Sequence, residues 1–358
     1  MEAQLITNTD RNQEIYKLQP VKQNPVVEIA DRLHLYPGTP QAENNVISVT
    51  SQFPSKPFIE ANTQEISLDT LTNDCVIPVF SKDNERTIAH QEFIEIVQES
   101  AFKAFPQQVF EKPEIRVSHQ IKGRTPEAIH KNAKDLLDHE RTQYFERMAF
   151  IVRVPGIVDT INDNEIALTI GGVRSYNLEN LYNKKSMEKF KFFIGFQNKV
   201  CCNLCVWSDG FVDDLRVASY QELQSKVFDI IQSYNAEKHL LEMKQLSQHS
   251  LTEHQFAQMI GRAKLYQYLP KAEKTLIPNL NFTDSHVNTI AKDYYEDASF
   301  SRNEQGDINL WNVYNLFTQA NKSSYIDTFL DRNVNAFDFT KGIQSALMGN
   351  GDYHWFLS

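Results

Sequence analysis

Residues 189–211 read KFKFFIGFQNKVCCNLCVWSDGF, and they hold three of the chain's four cysteines and one of its three tryptophans. Phe190, Phe192 and Ile194 alternate with Lys189, Lys191 and Phe193, the period-two pattern of a half-buried strand with an aromatic face toward the core and a wet face carrying lysines. A second strand is expected over 199–207, ending in the turn Ser208-Asp209-Gly210. Aromatic and thiol density of this kind belongs at the heart of a folded domain, so the β-rich centre is sought on either side of it.

Upstream, strands are expected over 145–154 and 165–170, with Pro155-Gly156 and Gly171-Gly172 read as turns. Farther up, 114–120 alternates as a strand, and Lys122-Gly123-Arg124 turns the chain. Thr125 is placed to cap, Pro126 suits a first helical position, and a helix is expected to about residue 139. Phe93, Ile94, Ile96, Val97, Ala101 and Phe102 mark a core-facing helix over 90–105. Val76-Ile77-Pro78-Val79-Phe80 reads as an edge strand, because proline cannot donate into a central ladder. Downstream, helices are expected at 221–247, 252–268, 286–296, 308–321 and 335–348. Ser250 or Thr252 opens the second of these, and Pro270 and Pro278 interrupt the chain after it.

Strands followed by a block of helices define an α+β class, with a central antiparallel β-rich core and a helical C-terminal block. Residues 1–70 are rich in Asn, Gln, Thr and Pro and lack sustained periodicity, so a loosely ordered polar arm is expected. The organisation read from the sequence is an arm over 1–74, an α+β core with strand pairs over 75–218, and a helical region over 219–358 packed on that core.

A chain of 358 residues with 41% hydrophobic content can bury a real core. No apolar run is long enough to span a bilayer, and the polar start MEAQLITNTDRNQE is unlike a secretory signal, so a cytoplasmic protein without a membrane is expected. Four cysteines, three of them clustered, do not make a disulfide framework at this length. The net charge of −10 argues against a surface that coats nucleic acid throughout. Over 112–199, however, 15 Lys and Arg face 11 Asp and Glu, a balance of +4 that leaves −14 elsewhere. A local basic face is compatible with that; ordinary variation accounts for it as well.

The candidate sites follow from residue type and spacing. On a strand Cys201 and Cys205 share a face about 13 Å apart while Cys202 faces away, so the three read as buried structural thiols rather than ligands of one zinc ion. The junction from Lys122 to Pro126 offers helix amides and two cations to a phosphate, against the alternative of an ordinary solvated turn. Lys184, Lys185, Lys189, Lys191 and Lys199 interleave with Tyr176, Tyr182, Phe190, Phe192 and Phe193, the mixture of cations and ring faces that single-stranded nucleic acid requires. Asp209, Asp213 and Asp214, with Glu140 or Glu146, are a candidate set for a divalent cation, against the alternative of ordinary solvated carboxylates. None of the ten histidines forms a recognisable nucleophile and base pairing, neither a Walker loop nor GxGxxG is present, and no cofactor is implied. On the helix over 308–321, Trp311, Tyr314, Leu316 and Phe317 supply an apolar side. Asn312, Asn315 and Asn321 are expected to tie that helix to the central sheet through hydrogen bonds.

Several blocks resemble an uncharacterised family of phage-like and plasmid-like proteins from bacterial mobile elements, especially its Bacteroidetes branch. They are VSHQIKGR at 117–124, YFERMAF at 144–150, GGVR at 171–174, FIGFQNKVCCNLC at 193–205, LWNVYNLFT at 310–318 and ANKSSYI at 320–326. The resemblance covers roughly residues 75–358. It implies a genomic setting and carries over no catalytic residue. In that setting the expected function is an accessory protein of recombination or replication that binds single-stranded nucleic acid. Lys122, Arg124, Arg147, Arg174, Lys184, Lys185 and Lys199 would contact phosphates, and Tyr176 or Trp207 would stack on bases. The alternatives are a protein-interaction or structural module, such as a host-factor inhibitor or a homo-oligomeric scaffold, and a metal-dependent hydrolase built on the aspartates.

Overall fold

The computed structural model describes residues 4–6, 56–79, 87–178, 187–199 and 201–358. Eleven strands are present among the described residues: β1 (Gln4–Ile6), β2 (Gln64–Ile66), β3 (Ile77–Val79), β4 (Glu114–Arg124), β5 (Arg141–Ile161), β6 (Asn164–Ser175), β7 (Glu188–Asn198), β8 (Leu204–Cys205), β9 (Phe211–Val217), β10 (Ser250–Leu251) and β11 (Ile308–Asn309). The helices are α1 (Leu68–Asn73), α2 (His90–Ala104), α3 (Tyr220–Ser233), α4 (Ala236–Leu246), α5 (Glu253–Tyr268), α6 (Lys271–Lys274), α7 (Asp284–Glu296), α8 (Leu310–Asn321) and α9 (Ile326–Leu347). A seven-stranded antiparallel sheet in the order β2-β4-β5-β6-β7-β8, with β9 also on β7, is followed by the helical block. The α+β class stands. Residues 56–74, within the stretch read as arm, carry β2 and α1, and Phe58 and Ile59 are buried. Of residues 1–55, only Gln4–Ile6 are described.

The sheet is covered on both faces, which corrects the expected wet face of residues 189–197. On one face, Phe93 of α2 meets Phe150 edge to face at 5.3 Å and leans on Phe190 at 4.7 Å. The opposite face presents Ala149, Ile151, Val173 and Phe193 to Ile326, Phe329 and Leu330 of α9, with Phe58 wedged against Phe329. Lys191 shares that second face and is only 7% exposed. Antiparallel sheets commonly leave one side to solvent; here α9 occupies it.

Two expected turns lie inside strands. Gly171 and Gly172 sit mid-β6, paired with Ile151 and Phe150 of β5. A Cβ on Gly171 would strike the Phe150 carbonyl, and one on Gly172 would strike the Phe93 ring, so the pair marks close approach rather than a bend. Pro155-Gly156 is absorbed by a register shift between Val154 and Val158 of β5.

The helix expected over 126–139 is replaced by three 3₁₀ turns, Pro126–Ala128, Ala133–Asp135 and Asp138–Glu140. Of its apolar side chains, Ile129 and Leu137 stay exposed, and helices in proteins draw their stability from a buried face. The single helix expected over 221–247 is two, because the Asn235 side chain caps a new start at Lys238 N. Thr252 opens α5 as expected, in a reciprocal box with Gln255. The last helix starts earlier than expected, at Ile326 rather than 335.

Candidate functional site

The seven described residues of the nine assigned to nucleic acid do not converge. Lys122 and Arg124 lie on β4 rather than in a turn, paired with Gln143 and Arg141 of β5. No long helix follows them, so the expected amide cradle is absent there: Pro126–Ala128 is a single 3₁₀ turn. Lys122 is exposed, and the Arg124 guanidinium donates to the Lys131 carbonyl. Lys199 pairs with Glu165 at the opposite end of β5, beside the β5–β6 turn. Arg174 is fully buried: it pairs with Glu188, donates to the Ile88 carbonyl, and lies 4.6 Å and 4.5 Å from the Tyr176 and Phe190 ring centroids. Tyr176 is itself buried and stacked on His90 at 4.3 Å. Trp207 is buried against His239 and Phe337, with the Lys238 ammonium 4.6 Å above it. Lys184 and Lys185 lie outside the described residues.

The aspartates considered for a metal each face a cation instead. Asp209 lies 3.4 Å from Lys238, Asp213 2.8 Å from Lys191, and Asp214 2.8 Å from Arg216. Glu140, one of the added carboxylates, pairs with Lys131. Among the described residues no three of His, Cys, Asp and Glu gather as metal ligands.

What the sheet does assemble is a charged seam beneath the start of α9. Ser118 of β4, Arg147 of β5 and Ser175 of β6 stand in register across three strands. Asp327, in the first turn of α9, forms an ion pair with Arg147, 2.9 Å from its Nε, and accepts a hydrogen bond from Ser175 Oγ at 2.6 Å. One helical turn on, Asp331 Oδ2 lies 2.5 Å from Lys191 Nζ, which also donates to Asp213 Oδ1 at 2.8 Å and to the Asp327 carbonyl at 3.0 Å. Burial opposes the charge on Lys191, but hydrogen bonds to Asp213 and Asp331 hold its ammonium above the ordinary lysine value. Burial pushes the Asp331 carboxyl up against the pull of Lys191. The seam fastens the helical block to the sheet, and it consumes Arg147 in doing so. Sequence reasoning missed it because its members come from β4, β5, β6, β7, β9 and α9 with no local spacing to betray them.

Of the three asparagines expected to tie α8 to the sheet, only Asn315 does so. Asn315 of α8 accepts from the Asn203 amide through its carbonyl at 3.1 Å and its side chain at 3.3 Å, joining helix to sheet turn. Asn321 reaches the Phe329 carbonyl of α9 at 2.8 Å, and Asn312 reaches the Ser301 carbonyl at 3.5 Å. The cysteines pack as small apolar groups: Cys202 and Cys205 are buried, and burial drives the Cys201 thiol up to about 12.

One surface stands apart from this internal bookkeeping. β6 meets β5 only from Arg147 onward, so residues 120–124 and 141–145 run on as a two-stranded ribbon. Ile121 (39%) is exposed on the ribbon, and Ile129 (42%) and Leu137 (55%) on the segment that joins its strands. At the ribbon's root His119 takes a left-handed φ of +57° and is skipped by the pairing, which resumes in the same register at Gln120. The His119 ring stays exposed, with Nδ1 accepting from Arg147 Nη1 at 3.2 Å.

Fold and site together define an α+β protein whose antiparallel sheet is buried on both faces and continues at one end as a two-stranded ribbon. A family model described as a domain of unknown function, B. Theta gene description (DUF3871), matches residues 39–357, and the chain belongs to that family. No curated protein and no solved structure matches it. Among the described residues no helix is long and apolar enough to cross a membrane.

Proposed function

We propose that the protein is a non-catalytic interaction module, working in the cytoplasm for a bacterial mobile element, with the β4–β5 ribbon as its partner-binding surface. The observation that carries this reading is the set of three large aliphatic side chains held exposed on the ribbon and the 125–140 segment that joins its strands, while Arg147, Arg174 and Lys199 are spent on internal carboxylates. Apolar anchors set among Lys122, Arg124 and Lys131 are the composition of a protein interface, where aliphatic contact supplies affinity and rim charge supplies orientation. The mobile-element setting rests on the sequence resemblance. A photo-crosslinking benzophenone placed at Ile129 should yield a discrete adduct in host cells that survives nuclease and is destroyed by protease, while the same group at Leu241 of α4 yields none. Equal labelling from both positions, or none, rejects the reading.

Single-stranded nucleic acid is the second reading, favoured by exposed Lys122 beside Arg124 on a two-stranded ribbon. It predicts the opposite sensitivity of the Ile129 adduct: loss on nuclease treatment.

A further inference from the structure

We propose that the outer edge of β4 over residues 118–124 receives an extended, acidic segment of a partner protein as an added strand; this rests on the interaction reading above and names its chemistry. β2 covers β4 only at Ile115, Arg116 and Val117. Beyond Val117, β4 bonds to β5 on its inner side alone among the described residues, which leaves a row of outward amides and carbonyls over 118–124. Such a row is a template for another chain. His119, with its left-handed φ, lies just past the covered part of the strand.

The side chains along the open half decide which chain fits. Gln120, Lys122 and Arg124 alternate with Ile121 and Gly123, so an added strand meets two cations two residues apart and one exposed aliphatic group. A second copy of the same edge would set Lys122 and Arg124 against like charges, which is destabilising in directly opposed pairs. An acidic strand gains opposite-charge cross-strand pairs at the same positions. Gly123, near the end of the open half, adds no side chain to shield the backbone. Asp327, the nearest carboxylate of the seam, is occupied by Arg147 and Ser175 and does not compete for Lys122.

The test uses the full chain and a short acetylated, amidated peptide of alternating valine and glutamate, with backbone amide hydrogen exchange as readout. The peptide should slow exchange by about tenfold within 118–124 and leave β9, the far edge of the sheet, unchanged. The protection should disappear in Lys122→Glu/Arg124→Glu, checked to retain the native fold by its denaturation curve, and in Lys122→Glu alone at the exposed position, and should be absent with a valine and lysine peptide. No slowing at 118–124, equal slowing by the lysine peptide, or retention in the double variant overturns the proposal. Should Ile129 still crosslink to a host protein in that event, the ribbon remains an interaction surface and strand addition alone is rejected.

Discussion

Replacing Lys191 with methionine removes the hub of the seam while filling its volume. In the native protein the Lys191 ammonium lies 2.5 Å from Asp331, 2.8 Å from Asp213 and 3.0 Å from the Asp327 carbonyl, with its side chain almost wholly buried. Methionine leaves Asp331, about a third exposed, without a counterion and facing Asp213. Removing one partner of a buried ion pair costs about 3–5 kcal/mol, and the solvent access of both aspartates places Lys191→Met at the low end, about 3 kcal/mol. Asp213→Asn, at the half-exposed partner, should cost under about 1 kcal/mol. Lys191→Met/Asp331→Leu should recover most of the loss, since apolar replacement of a whole buried pair is often neutral. The penalty of Lys191→Met should also shrink in acid, because the stranded Asp331 carboxyl, already raised by burial, then takes a proton. Urea denaturation at constant m reads each difference. A Lys191→Met midpoint equal to wild type, or a double variant no better than the single, refutes the assignment of the seam as the fastening of α9.

Other expectations are independent of the seam. Gly172→Ala should lower stability by about 1–3 kcal/mol, because the new methyl meets the Phe93 ring and overpacking of a dense core forces its neighbours to shift; thermal denaturation measures it. His90 and His239 are held near pKa 3 by burial, His90 also by Arg174, and His286 near 4 by burial and Arg332. These values lie below the unfolded one of about 6.5, so the stability the neutral rings contribute is complete above that pH and is lost as pH falls toward 3–4, by up to about 1.4 kcal/mol per pH unit and histidine. His239→Phe should flatten the slope of stability against pH over that window, and an unchanged slope contradicts the assignment. The thiols of Cys75 and Cys201, raised to about 11 and about 12, should resist alkylation in the native protein and react on unfolding. Asn315→Ala should cost about 1–3 kcal/mol by leaving the Asn203 amide short of a buried acceptor.

The parts of this fold visible in the sequence are those whose cause is local. Thr252 with Gln255 is a self-contained capping box, and Phe93, Ile94, Val97 and Ala101 repeat at a helix period because one surface buries them all. The alternation of residues 189–197 gave the strand correctly but not the fate of its second face, since nothing within those residues reports that Ile326 and Phe329, more than a hundred positions on, will cover Phe193. Gly171-Gly172 reads as a turn by composition, and only the Phe93 ring and the Phe150 carbonyl beside it reveal close packing. Thr125-Pro126 is a sound helix start that lacked an apolar face to bury. The candidate site was least legible. Counting cations over 112–199 cannot show that Asp327 awaits Arg147 or that Glu188 awaits Arg174, because each pairing is made across the sheet after folding. Asn315 was readable for a physical reason: an amide on an apolar helix face needs a partner, and Asn203 supplies it.

The most direct test of the account is a titration of labelled single-stranded DNA with the full protein at about 50 mM salt, where phosphate contacts are strong. With Arg147, Arg174 and Lys199 committed to Asp327, Glu188 and Glu165, anisotropy should stay flat across the titration. Saturable binding that weakens steeply with salt and persists in Lys122→Glu/Arg124→Glu would contradict it, because cations held here to be internally neutralised would then be serving phosphates.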